Sequence, residues 1–171
     1  MTLVETTIAV LLLLVFMVGL LSMAGMATQF TENHGHLEAR TAEYAQDKME
    51  QLLALAYGDT VSDTVQFPAA AAGGTGMAVG GSSNTAAPAL GYVDWLGYDG
   101  SLLGGGTAAP NGWFYQRVWQ ITCVVAPCVD NPPTGPPTGV KQVTIVTTVR
   151  TSVGRRLIPT STVVALKAAE F

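Results

Sequence analysis

The chain has 171 residues, a formal net charge of −4 and only 12% charged side chains, about half the usual share. That length fits one domain with a sizeable core, and an acidic balance without any basic run gives no support to a nucleic-acid surface. Mean hydropathy is positive at +0.35, and the apolar excess sits at one end.

From Ile8 to Ala27 no charged residue occurs, and Ser22 is the single polar side chain. A helix of that length, at 1.5 Å per residue, covers roughly 30 Å, the thickness of a bilayer's hydrocarbon core. The segment is predicted to be a retained membrane helix. A cleaved secretory signal would show a basic n-region, a shorter apolar stretch and a turn-rich cleavage site. None of these accompanies Met1-Thr2-Leu3-Val4-Glu5-Thr6-Thr7 and the run that follows, and the sequence beyond it stays compatible with helix.

Glu5 is physically odd in this setting. A carboxylate at the centre of a membrane helix costs about 2.5–3.5 kcal/mol on insertion scales, less near an end, and once buried it requires a partner. The cation at matching depth is an α-amino group at residue 1. An amine at the start of the same helix does not fold back onto Glu5, whereas one from a neighbouring copy shifted along the axis reaches it.

Between Ala39 and Ala56 the pattern becomes one-sided. Ala42, Ala45, Met49, Leu52 and Ala56 recur at three- and four-residue spacing, one face of an amphipathic helix. Arg40, Glu43, Asp47, Lys48, Glu50 and Gln51 are assigned to a solvated opposite face, and Gly58 to a C-terminal cap with positive φ. One helix from about residue 2 to Tyr57 is expected, with soft points at Gly19, Gly25 and Gly35. His34 and His36 lie on different helix faces and read as solvated side chains, since joint metal binding would need non-helical backbone.

Residues 59–112 are rich in Gly, Ala, Ser, Thr and Pro, with Ala69–Gly74 and Gly104–Gly106 as low-complexity punctuation. A long connecting loop is expected, pinned by Phe67, Tyr92, Trp95 and Tyr98 and holding at most a short strand or helix. Asp94 and Asp99 match no calcium cage. From Trp113 the period turns to two: 113–125, 140–151 and 156–166 have strand composition, separated by Pro132–Pro137 and by Ser152-Val153-Gly154. An antiparallel meander of three long strands is predicted to cover the amphipathic half of the helix.

Met1 to Glu5 ahead of an apolar helix resembles the mature N-terminus of type IV pilins and type II secretion pseudopilins. The resemblance covers residues 1 to about 57. A weaker one joins Phe114-Tyr115-Gln116-Arg117-Val118-Trp119 and Ala45–Leu52 to the minor-pilin-like branch. Met1 departs from the family's usual N-methylated Phe, and Ser22 stands where a Pro is frequent, beside the Gly19–Gly25 segment at which the family is often locally unwound. The family's basic leader is absent, as expected of a chain numbered from its processed end. The resemblance implies an α+β fold, a long N-terminal helix packed on a C-terminal antiparallel sheet. It divides the chain into residues 1–30 as membrane and filament-core helix and 31–171 as head (31–57 helix, 58–112 loop, 113–171 sheet). It further implies a homo-oligomeric helical filament outside the cell, the inner membrane as lodging before assembly, and prepilin peptidase and the pilus machinery as partners. Met1 and Glu5 become assembly residues, and Leu3, Val4, Ile8, Leu11, Leu12, Val15 and Phe16 the filament-core helix.

Cys123 and Cys128 flank a turn at Pro127, without the His or further Cys of a zinc site and without Cys-x-x-Cys spacing. In a secreted head they are expected to form a disulfide. No nucleophile–histidine motif or phosphate loop is present, so neither enzymatic activity nor a cofactor is expected. Two alternatives stand beside a structural filament subunit: a minor pilin or pseudopilin that primes assembly, and a single-pass membrane-anchored binding domain.

Overall fold

A computed structural model describes residues 3–71, 73–130, 138–150 and 158–169, with 29–34 as backbone alone. Met1, the Pro132–Pro137 and Ser152–Gly154 separators and Arg156 lie outside the described residues. The chain divides into two compact units, Met1–Leu37 and Glu38–Phe171.

The first element is α1, Leu3–Leu53, an unbroken helix of 51 residues. No unwinding occurs at Gly19, Gly25 or Gly35. Each glycine costs about 1 kcal/mol relative to alanine, and the surrounding Leu, Met and Ala carry that loss. The helix ends four residues earlier than expected. Gly58 is not its cap and does not have positive φ. Instead Lys167, far along the chain, donates its ammonium to Leu53 O at 2.8 Å and to Leu55 O, taking carbonyls that a helix end leaves open. No basic residue of the last turn does this.

Within the Glu38–Phe171 unit the chain adds β1 (Gly80–Gly81), β2 (Val93–Leu96), β3 (Leu102–Gly104), β4 (Tyr115–Val129), β5 (Thr138–Val149) and β6 (Thr160–Ala168). The sheet is antiparallel, ordered β3-β2-β4-β5-β6, with β1 on the same side of β4 as β2. The architecture is therefore α+β. The meander β4-β5-β6 is the predicted one, but the 58–112 segment is more than a loop: it supplies three further strands. Those strands have two to four residues each, too short for an alternation to register. In β1 the glycines are there for close approach. A Cβ on Gly81 would lie 2.3 Å from Trp119 O and 2.7 Å from the Tyr92 ring, and its φ is +83°.

Alternation along β4 and β5 gives the sheet two faces. Ala45, Met49 and Leu52 of α1 pack with Met77, Tyr92, Trp119, Ile121, Val143 and Ile145 as the main core. Val93, Trp95 and Val118 form a smaller cluster on the other face with Trp113 and Val146. Of the four expected loop anchors, Tyr92 and Trp95 are buried, whereas Phe67 is 74% and Tyr98 77% exposed. The buried rings find partners for their polar atoms: Tyr92 OH donates to Ala78 O and Trp95 Nε1 to Gly106 O. Phe67 has no such handle.

Candidate functional site

Two features of this chain carry unusual physics: the bare apolar half of α1 and a set of buried charges under the head. The first spans Leu3–Thr28, a 26-residue stretch long and apolar enough to cross a membrane. Every predicted core-helix residue in it is exposed: Leu3, Val4, Ile8, Leu11, Leu12, Val15 and Phe16 all show more than half their surface. Its hydroxyls are turned inward. Thr6 and Thr7 donate to Leu3 O and Val4 O, Ser22 to Val18 O, and Thr28 to Gly25 O, all at 2.9 Å. Such back-bonding satisfies the hydroxyl inside its own helix, as a lipid-facing surface requires.

Glu5 is then the single ionisable side chain of the stretch. It lies in the first turn of α1, where a negative charge is favoured by the helix dipole. Among the described residues no cation pairs with it; the first Lys or Arg along the chain is Arg40. Its expected partner amine, at Met1, falls outside the described residues, as do the side chains of Phe30 and His34. His36 is exposed.

The second feature was misassigned from sequence. Lys48, read as part of the solvated helix face, is fully buried. The heptad-like spacing that places Ala45, Met49 and Leu52 inward also turns Lys48 toward the sheet. There its ammonium meets Asp94 Oδ2 at 2.8 Å, donates a hydrogen bond to Thr64 O, and lies 4.5 Å above the Trp119 ring. Asp94 is itself fully buried and sits directly across from Arg117 in the β2–β4 register. Arg117 grips it through Nε to Oδ1 at 2.7 Å and Nη2 to Oδ2 at 2.9 Å. This two-point geometry is the strong form of the pair. The remaining guanidinium nitrogen, Nη1, reaches Tyr44 O at 3.2 Å and Asp47 Oδ2 at 3.0 Å. One buried carboxylate thus holds two cations, and the half-exposed Asp47 brings the set to zero net charge.

Burial pushes the Lys48 ammonium below its ordinary value against the pull of Asp94. Burial also opposes the charge on Arg117, but Asp94 outweighs it and raises the guanidinium above its usual value. The cluster ties α1 to β2 and β4, so its role is to fix the helix on the sheet. A signal for it existed: an Asp inside Tyr92-Val93-Asp94-Trp95-Leu96 and an Arg inside Phe114–Trp119 are charges in apolar strands, and each demands a partner. Asp99, by contrast, is spent locally on Ser101 N and Oγ.

A third buried cation, apart from this cluster, closes the far end of the sheet. Lys141, fully buried, donates to Tyr57 O at 2.9 Å and Met77 O at 2.6 Å, and pairs with Asp130. Nearby, Cys123 and Cys128 are disulfide-bonded, with Cα atoms 5.8 Å apart. The bridge spans the stretch of β4 where register with β5 shifts, which is largely exposed. Closing so short a loop gives roughly 2 kcal/mol on the entropy model. Reduction is therefore expected to loosen residues 123–129 without unfolding the head; hydrogen exchange of those amides, compared with Val143 and Ile145, checks this.

No family model, curated protein or solved structure matches the chain.

Proposed function

We propose that the chain is a structural subunit of a type IV pilus-like extracellular filament, inserted in the inner membrane before assembly and built into the polymer through the Leu3–Thr28 stretch of α1. In this reading it is not an enzyme, and its partners are further copies of itself, the prepilin peptidase that processes and methylates its N-terminus, and the pilus assembly machinery. The observation that carries it is an apolar helix exposed on all sides whose one ionisable side chain, Glu5, is left without a described partner. Burial at about 25 cal/mol per Å² makes a shell of Leu, Val, Ile and Phe side chains worth many kcal/mol per subunit in gross terms. Lipid supplies that shell before assembly, and neighbouring helices supply it afterwards.

Electron microscopy of material sheared from cells tests the proposal. Fibres containing the chain are expected, and a version starting at Phe30 is expected to form none. Fibres from the shortened chain would overturn it. A full chain that stays wholly in membranes, without fibres, would favour a single-pass anchored binding domain. Fibres in which the chain is a rare component would mark the minor-pilin or pseudopilin role.

Glu5→Ala is expected to leave the protein stable in membranes while lowering fibre yield by at least about tenfold, as loss of one side of a buried ion pair typically costs 3–5 kcal/mol. Normal fibre yield, counted against the amount of membrane-bound subunit, would refute the pairing of Glu5 with a neighbour's amine.

A further inference from the structure

We propose that the cleft between α1 and the loops at 65–67 and 96–102 is a binding site for a neutral hexose ring, free or at the end of a glycan. Its volume is about 310 Å³, at the lower end of small-molecule sites and suited to one sugar ring. Tyr44, Asp47 and Gln51 enter it from α1, Gln66 and Phe67 from the facing loop, and Arg117 from the sheet beneath. The helical residues are spaced three and four apart, so they share one face.

The polar atoms are held in place but not used up. Asp47 Oδ2 accepts from Gln51 Nε2 at 2.9 Å and from Arg117 Nη1 at 3.0 Å, which fixes the carboxylate and leaves Oδ1 without a donor among the described residues. Gln66 Nε2 donates to Asp63 Oδ2 at 3.1 Å, leaving its carbonyl oxygen open in the same sense. The Tyr44 ring is wedged edge-on against Tyr115, with centroids 4.9 Å apart, and its hydroxyl has no described partner. Gly100 makes room for that hydroxyl: its φ is +84°, and a Cβ would come within 2.5 Å of the oxygen. The Asp47 acceptor and the Tyr44 hydroxyl on the α1 wall, with the Gln66 acceptor on the facing loop, match the several hydroxyls around a sugar ring.

Phe67 supplies the apolar wall. It is 74% exposed, a large ring kept in water beside amides and a carboxylate. Such a face takes the C–H side of a pyranose through dispersion and weak C–H contacts. A peptide side chain would use the ring and leave Asp47 Oδ1 and Gln66 Oε1 unmatched. Charge selects further. Arg117 and Lys48 are balanced in charge by Asp94 and Asp47, so this set leaves no surplus charge to offset the desolvation of an ionic ligand.

Saturation-transfer NMR on the full chain in phosphocholine-detergent micelles tests this, and it does so without requiring a filament. The probes are methyl glycosides of glucose, galactose and mannose, their neutral trisaccharides, glucuronate, and a Phe-containing tripeptide. At least one neutral glycoside is expected to bind with a dissociation constant on the order of millimolar, with saturation strongest on ring C–H protons and glucuronate at least about tenfold weaker. A trisaccharide that binds more tightly identifies a glycan end as the natural ligand; equal affinity identifies the free ring. Phe67→Ala is expected to weaken binding by about tenfold or more, and Gln66→Ala by several-fold, while Tyr98→Ala, at a ring outside the cleft, leaves it unchanged. Both lining residues are exposed, so unchanged thermal unfolding is expected in the variants. The proposal is overturned by absence of binding to every neutral sugar, by undiminished binding in Phe67→Ala, or by preference for glucuronate or the peptide.

Discussion

Asp94→Asn is expected to remove about 3–5 kcal/mol of stability, about a fifth or more of the roughly 5–15 kcal/mol that a folded domain typically holds. The substitution preserves shape and deletes the charge that lies between Lys48 and Arg117, both buried and both at hydrogen-bond distance from it. Two like charges are then left facing each other, with the half-exposed Asp47 reaching only Arg117. Urea unfolding of the full chain in detergent, followed by tryptophan fluorescence, measures the loss through Trp119, against which Lys48 lies. Two further results separate charge from packing. Adding Lys48→Met is expected to recover part of the stability, because the stranded cation is gone; a packing explanation predicts a further loss.

The second result is a dependence on pH. Lys48 is already held below its ordinary value by burial, and without Asp94 nothing equivalent opposes that push. In the variant, the folded state binds fewer protons than the unfolded state over a wider range below the ordinary lysine value, so its stability rises with pH over that range. The gap to the parent is therefore expected to narrow between about pH 6 and about pH 9. A constant gap would show that Lys48 stays charged throughout.

Trp119→Ala is expected to cost about 3–5 kcal/mol. Trp119 is fully buried at the centre of the main core. It packs at 6.4 Å from the Tyr92 ring and presents its face to the Lys48 ammonium. The change opens a cavity and at the same time removes the aromatic partner of a desolvated cation, an interaction of about 2 kcal/mol in such settings. Trp119→Phe separates the parts. It keeps a ring beneath Lys48 and removes an indole N–H that has no described hydrogen-bond partner, so its loss is expected to be clearly smaller. Equal losses for Ala and Phe, measured by the same urea unfolding, would show that neither the retained ring volume nor its contact with Lys48 contributes at this position.

The sequence by itself determined the elements with strong, local and sustained patterns. The apolar run before Thr28 could only be a long helix that needs a shell of lipid or protein, because no charge interrupts it after Glu5. The amphipathic continuation was legible in Ala45, Met49 and Leu52, and the long strands β4, β5 and β6 in their alternation. The pairing of Cys123 with Cys128 needed only two cysteines close in sequence. What tertiary structure decided was everything that depends on partners distant in the chain. Lys48 belongs inside because Asp94 and Arg117, 46 and 69 positions on, arrive at the same point from β2 and β4; its spacing from Ala45 and Leu52 suits the inward face, but a lysine with no partner in its own helix is assigned to water by residue type. The helix ends at Leu53 because Lys167 of β6 binds its last carbonyls, and local glycine rules pointed to Gly58 instead. The strands β1 and β2 exist because β4 offers them an edge, and β3 because β2 in turn offers one, Gly80 and Gly81 having no strand propensity of their own. The cleft beside Phe67 has the same origin: its walls come from α1, two loops and β4, and only the folded sheet brings them within reach of one small molecule.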